Sequence, residues 1–218
     1  TALAQDGGVG TLIVAHGADS AWNAPVLDVA RAADTGGSVE VAFLMGDHTA
    51  DHLFQDAVAK LEAAGAERVV VVPLLASSHS SHYEQIRWLA GDTEELSDTM
   101  MHHLHMAGIH RAAGDTPLHL TPALDQSPEI APILVERALA LVEDPSEHAL
   151  FIIGHGPNSA EDNALWMKNL REVMAQVARE TGFRDVKLGL VRDDAPDEVR
   201  AEAVRGVREI IQLQRDLT

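Results

Sequence analysis

Twelve histidines stand out in a chain of 218 residues that contains no cysteine. Imidazole both ligates transition metals and exchanges protons near neutral pH. The lack of thiols excludes disulfides, iron–sulfur clusters and cysteine nucleophiles, so a metal must be met by His, Asp, Glu, Met or backbone oxygen. Three histidine features directly follow apolar, strand-like runs: His16 after GTLIVA, His79 and His82 after RVVVVPLLA, and His155 after ALFIIG. Ligands bind outside the carboxyl ends of the strands in an open parallel sheet. His16 and the His79/His82 pair sit on strands expected to be neighbours or next-neighbours, so their imidazoles are expected to converge on one cleft. A lone His-Gly step also serves as a plain strand-to-helix turn in which the imidazole caps a carbonyl. Its recurrence at the same topological point, together with the His79/His82 cluster, favours a site.

Ser77, Ser78 and Ser80 surround His79 and His82 at the start of a predicted helix. Hydroxyls there suit an anion such as a carboxylate, and the imidazoles suit a divalent cation. The same residues also read as a serine-rich cap with exposed histidines. Glu84 is either a proton acceptor or a first-turn acid favoured by the helix dipole. A second cluster, MMHHLHM at 100–106, puts His102 and His105 on one helical face. Imidazole with thioether suits a transition metal, the thioether favouring softer ions. Its alternatives are an amphipathic helix with solvated histidines, or a lid over the cleft. His48 and His52, spaced i, i+4 beside Asp47 and Asp51, read as a solvated helix start rather than a metal site. No GxSxG elbow, P-loop or GxGxxG turn is present, and no nucleotide is expected.

The elements needed to position these residues are legible in the alternation of short apolar runs and longer amphipathic stretches. Strands are predicted at 10–15, 39–45, 68–76, 118–120, 149–154 and 186–191. Helices are predicted at 21–33 with Ser20 as cap, 49–64 closed by Gly65, 81–89, 94–113, 127–142, 160–181 and 196–215. Runs that are apolar on both faces suit a parallel sheet covered on both sides. The pattern restarts midway: LIVAHG at 12–17 matches FIIGHG at 151–156, and each is followed by an Asn-containing turn (Asn23; Asn158 and Asn163) and then helix, strand, helix. This repeat predicts an α/β fold of two similar lobes, 1–145 and 146–218, each with a parallel sheet flanked by helices. The second copy stops where its third strand should begin, so that lobe is read as incomplete.

Lys and Arg number 16 against 34 Asp and Glu, a formal charge of −18. Such a chain repels phosphate backbones and anionic membrane faces, so neither nucleic acid nor a membrane surface is expected as a partner. No apolar run reaches the roughly 18 residues of a membrane helix. Ala2-Leu3-Ala4 has the small-x-small form of a signal-peptidase site, which leaves localisation open between cytoplasmic and exported.

LIVAHGADSAWN, VVVVPLLASSHSSHYEQI, TPAL and the second FIIGHG together resemble the class II tetrapyrrole chelatases, the sirohydrochlorin cobalto- and ferrochelatase family. The resemblance spans nearly the whole chain. It implies a chelatase-like fold of two α/β lobes around a cleft for a tetrapyrrole. It also implies ATP-independent insertion of Co2+, Fe2+ or a similar divalent ion such as Ni2+, the metal being substrate. The family places one histidine after the first strand, here His16, and another after the third, here His79 or His82. With Glu84 as accessory, these residues would hold the metal and accept the pyrrole protons. Ser77, Ser78 and Ser80 would meet the macrocycle's carboxylates. His155 would be an inactive echo of His16 or a further ligand. The Met/His-rich stretch departs from the family, so His102 and His105 stay metal candidates on their helical spacing alone. The alternatives on the same scaffold are a metal-binding or metal-delivery protein and a tetrapyrrole-binding protein. Assembly is left between monomer and homodimer.

Overall fold

The computed structural model of the chain describes residues 8–217, so the Ala2-Leu3-Ala4 step lies outside the described residues. The chain divides into two compact units, Thr1–Leu124 and Asp125–Thr218.

The first unit runs β1 (Gly8–Ala15), α1 (Ser20–Ala32), β2 (Val39–Phe43), α2 (Phe54–Ala63), β3 (Ala66–Leu74), α3 (Ser81–Leu89), α4 (Asp98–Met106) and β4 (Leu118–Leu120). Its four strands are all parallel in the order β2-β1-β3-β4. Side chains alternate across a strand, and here both faces are apolar. Leu12 and Val14 of β1 pack with Ala42, Val69 and Val71 against Phe54, Val58 and Leu61 of α2, Ile86 and Leu89 of α3, and Leu104 of α4. Ile13 and Ala15 pack on the other face with Val41, Phe43 and the Val26/Ala30 stripe of α1. Leu12 is fully buried; Leu12→Ala is expected to cost about 2–5 kcal/mol.

The second unit holds α5 (Ile130–Leu139), β5 (Ala149–Gly154), α6 (Ala160–Thr181), β6 (Asp185–Leu190) and α7 (Asp197–Leu217). β5 and β6 pair in parallel as a two-stranded sheet. α6 opens on Ser159, whose hydroxyl accepts from the Asp162 N–H, and ends at Gly182 with φ 72°. Ala131 of α5 packs with Val173 and Val177 of α6 against Leu150 and Ile152 of β5. The fold is thus the expected α/β arrangement with a small second sheet. The boundary expected at 145/146 and the division at Leu124/Asp125 differ by α5, which packs on α6 rather than within the first sheet's layers. Among the described residues no helix is long and apolar enough to cross a membrane.

Several element boundaries differ from the sequence reading, for local reasons. α1 is capped by Asp19, which accepts from the Trp22 N–H at 2.9 Å, so Ser20 is its first residue instead of its cap. The helix expected over 49–64 is two pieces, a 3-10 turn at Thr49–Asp51 and then α2, because His48 is left-handed (φ 62°) and His52 leaves helical geometry. His48 therefore turns to Asp51 and the His52 ring packs edge-on against Phe43. The pair is not displayed on one helix. The helix expected over 94–113 shrinks to α4. Ser97 caps its start, and Gly108 (φ 71°) follows its last turn. Beyond it, the Arg111 guanidinium donates to the carbonyls of Trp88 and Thr93 at 2.8 and 2.7 Å, holding the chain there as loop. Residues 127–129, Pro128 included, precede α5 as a turn.

Candidate functional site

The register of β1 on β3 pairs Ala15 with Leu74. The segments leaving these strands therefore start side by side, at the carboxyl edge where the sheet's ligands are expected. His16 follows β1 directly. After β3 the chain turns through Ser77–Ser80: the His79 N–H donates to Ser77 Oγ at 3.1 Å, and Ser80 Oγ accepts from the Tyr83 N–H at 3.2 Å as the cap of α3. The cap fixes where α3 begins, and so puts His82 in its first turn. The His16 and His82 rings then meet with centroids 4.6 Å apart and planes at 88°.

Both rings have an assigned tautomer. His16 Nδ1 lies 2.7 Å from the Gly17 carbonyl oxygen. A carbonyl only accepts, so Nδ1 carries a proton, and in the neutral ring the lone pair then lies on Nε2. His82 Nδ1 lies 2.9 Å from Gln85 Oε1, while Gln85 Nε2 donates to the Met100 carbonyl at 3.1 Å. That second bond fixes the amide orientation, so Oε1 is the atom facing His82 and the ring again donates from Nδ1. Gln85 is 1% exposed. A buried side chain that orients an imidazole through its distal nitrogen is a common support for metal-binding histidines.

The His16-Gly17 turn is welded to the neighbouring strand exit. The N–H groups of Leu44 and Met45 donate to the carbonyls of Ala15 and His16 at 3.1 and 2.9 Å. Asn23, 4% exposed, accepts from the Ala18 N–H and donates to the Asp47 carbonyl, both at 3.0 Å. Gly17 has φ 82°, and a Cβ there would lie 2.0 Å from the Met45 carbonyl oxygen, so only glycine fits.

The remaining candidates make other contacts. Ser77 and Ser80 shape the turn as described, and Ser78 Oγ accepts from the Ala123 N–H at 2.8 Å, tying the turn to the exit of β4. Glu84 pairs with Arg87 at 3.2 Å, and Arg87 also holds Asp92 at 2.7 Å; the Asp92 bond first, and Glu84 second, raise the Arg87 pKa. His102 and His105 lie exposed on α4, whose Leu104 is its buried anchor. Among the described residues no three His, Asp or Glu side chains gather into one metal-holding group.

In the second unit the His-Gly turn recurs with the same backbone. His155 Nδ1 donates to the Gly156 carbonyl at 2.8 Å, and the N–H groups of Val191 and Arg192 donate to the carbonyls of Gly154 and His155. Here His155 Nε2 faces Asp194 Oδ2 at 3.3 Å. Gln85 and Asp194 were not singled out from the sequence. The signal for Gln85 was its i+3 spacing from His82 on a helix; for Asp194 it was an acidic pair a few residues beyond the strand that ends at Leu190.

A parallel α/β sheet thus brings two oriented imidazoles together at its carboxyl edge, on a scaffold whose His-Gly turn occurs twice. Comparisons with known proteins identify the family. The CbiX family model matches residues 10–141, and the chain belongs to this class II chelatase family. Among solved structures, SirB from Bacillus subtilis with Fe3+ superposes with a TM-score of 0.60 at 14% identity, covering 89% of this chain and 69% of that one. No curated protein sequence matches the chain.

Proposed function

We propose that this chain inserts a divalent metal, Co2+, Fe2+ or Ni2+, into a sirohydrochlorin-like tetrapyrrole without a nucleotide. The observation that carries the reading is the His16–His82 ring pair, each ring with Nδ1 tied as donor and Nε2 as the lone-pair nitrogen. Family membership supports the reaction class.

Insertion exchanges two pyrrole N–H protons for one M2+. In this reading, His16 and His82 first hold the metal loosely through Nε2. Two neutral imidazoles leave most coordination positions to water, so the ion is held but not trapped; a closed set of four ligands would retain it. As the macrocycle nitrogens take the metal, the imidazole lone pairs are released and become proton acceptors for the departing pyrrole protons. The Gly17 carbonyl and Gln85 keep both rings in the tautomer that this sequence needs at either step. The serine turn at 77–80 borders the same edge and is the proposed contact for the macrocycle's carboxylates. A formal charge of −18 draws the cation in and repels a polycarboxylate at distance, so substrate affinity is expected to rise with ionic strength.

Mixing the full chain with metal-free sirohydrochlorin and Co2+ and following the Soret band tests the proposal. Accelerated metallation that releases two protons per metal and is lost in His16→Ala supports it. Stoichiometric metal binding without acceleration, or macrocycle binding without turnover, overturns it in favour of a carrier or a tetrapyrrole-binding protein.

A further inference from the structure

The exit of β2 and the last turn of α4 face each other across a cavity of about 430 Å³ lined by Leu44, Met45, Gly46 and Thr49 on one side and His103, Met106 and Ala107 on the other. α4 is fixed in place: Leu104 is fully buried. Beyond its last turn, Gln55 of α2 donates to the Gly108 carbonyl at 2.9 Å and accepts from the His110 N–H at 3.3 Å. With Leu104 turned inward, His103 and Met106 are neighbours at i, i+3 and border the cavity together. Met106 is 75% exposed, so packing does not explain a thioether at this position. The opposite wall is equally constrained, because Met45 donates its N–H to the His16 carbonyl. The lining thus offers two thioethers and one imidazole and no carboxylate.

We infer that Met45, His103 and Met106 form a second metal site, selective for a soft monovalent d10 ion such as Cu+. Thioether sulfur is a soft, polarisable donor that selects Cu+ over hard divalent ions, and imidazole suits the same ion. Methionine has three rotatable torsions, so thioethers that line opposite walls of one pocket can adjust their reach toward a shared ion. A lining without carboxylates gives Mg2+ or Ca2+ no oxygen charge to bind. The site stands apart from metal insertion, since none of its three donors belongs to the His16–His82 pair, and it holds whether or not the chain turns over a tetrapyrrole.

The test uses Ag+, a redox-inert d10 ion, on the full chain labelled with 13C at its six methionine methyls. One equivalent of Ag+ is expected to shift the Met45 and Met106 methyl signals, assigned through M45L and M106L, while Mg2+ leaves them in place. Leucine conserves the side-chain volume. The double variant M45L/M106L, and separately His103→Ala, are expected to weaken Ag+ binding by about 10- to 100-fold. The same shifts must survive in His16→Ala and His82→Ala. Unmoved Met45 and Met106 signals, shifts confined to Met100 and Met101, variants that bind as tightly as the parent, or shifts abolished by His16→Ala would each overturn the assignment.

Discussion

In the first unit the residue whose N–H meets the histidine carbonyl of the His-Gly turn is Met45; in the second it is Arg192. The backbone around them is the same, down to the histidine Nδ1 donating to the glycine carbonyl at 2.7 Å in one and 2.8 Å in the other. The side-chain surroundings are not. His16 meets a second imidazole from the segment after β3. His155 meets the carboxylate of Asp194, and the turn around it carries the guanidinium of Arg192, which donates to the carbonyls of Pro157 and Asn158. A fixed cation in that turn disfavours a divalent ion, whereas among the described residues the first turn carries no such guanidinium bond and sets a second imidazole beside His16. The strands behind the turns differ as well: Leu12, Val14 and Ala15 of β1 are fully buried, while Ile153 of β5 is 60% exposed. One turn geometry therefore serves two ends. What distinguishes the first turn is the imidazole contributed by the segment after β3, and the contrast can be broken or sharpened by experiment.

The largest expected contrast lies in the glycines. Gly17→Ala would force a Cβ against a backbone oxygen at φ 82°, whereas at Gly156 (φ 79°) the nearest atom is a side-chain carbon of Leu190 at 2.8 Å. Urea unfolding should show a loss of about 3–5 kcal/mol for Gly17→Ala and about 1–3 kcal/mol for Gly156→Ala. Equal losses would mean the first turn is not the more tightly locked.

The asparagines come next. Asn23 bridges the first turn to Asp47, while Asn163 Oδ1 is buried with no hydrogen-bond partner among the described residues. Removing Asn23 leaves buried backbone groups unmet, so Asn23→Ala should cost about 2–3 kcal/mol and Asn163→Ala less than about 1 kcal/mol, measured by the same unfolding curves.

Gln85→Leu should keep the α3 core filled but release the His82 tautomer, lowering kcat/KM for Co2+ about tenfold. Gln85→Glu, which keeps an oxygen acceptor facing the ring, should recover part of that loss. Neither change should alter binding of Ag+ to the methionine pair.

The smallest effect concerns Asp185 in the second unit, whose carboxyl is held below its ordinary value chiefly by the hydrogen bond from Lys187, at 2.8 Å, and then by Gln214. A lowered folded-state pKa means a contribution present above the unfolded carboxylate range and lost as pH falls through the folded value. Asp185→Asn should therefore cost below about 1 kcal/mol at pH 7, and the difference should fade as pH falls below the ordinary carboxylate range.

The strands and the repeated His-Gly turns were legible in the sequence because they are written in contiguous apolar runs, GTLIVA and ALFIIG among them. The meeting of β1 and β3 was legible through the rule that sheet ligands gather at carboxyl edges. Which of the His79 and His82 rings stands beside His16 was not, because it depends on which serine caps α3. Seen along the chain, Ser77, Ser78, Ser80 and Ser81 are equivalent; only the fold commits Ser80 to Tyr83 and so brings the His82 ring to His16. The helix expected over 94–113 failed because Arg111 collects carbonyls from residues 88 and 93, a contact between segments that no periodicity records. Gln85 looked like any polar helix residue until its burial and its bond to Met100 were visible. Met45 and His103 were separated by too much chain to suggest a shared cavity.

The account rests on His16 and His82 acting as one unit, and a mutant cycle on metallation of sirohydrochlorin by Co2+ reads this directly. If they act together, His16→Ala, His82→Ala and the double variant should lose nearly the same factor in rate, since removing either ring disables the pair. His155→Ala should stay within about twofold of the parent. Losses that multiply independently, or a His155→Ala variant as impaired as His16→Ala, would contradict it.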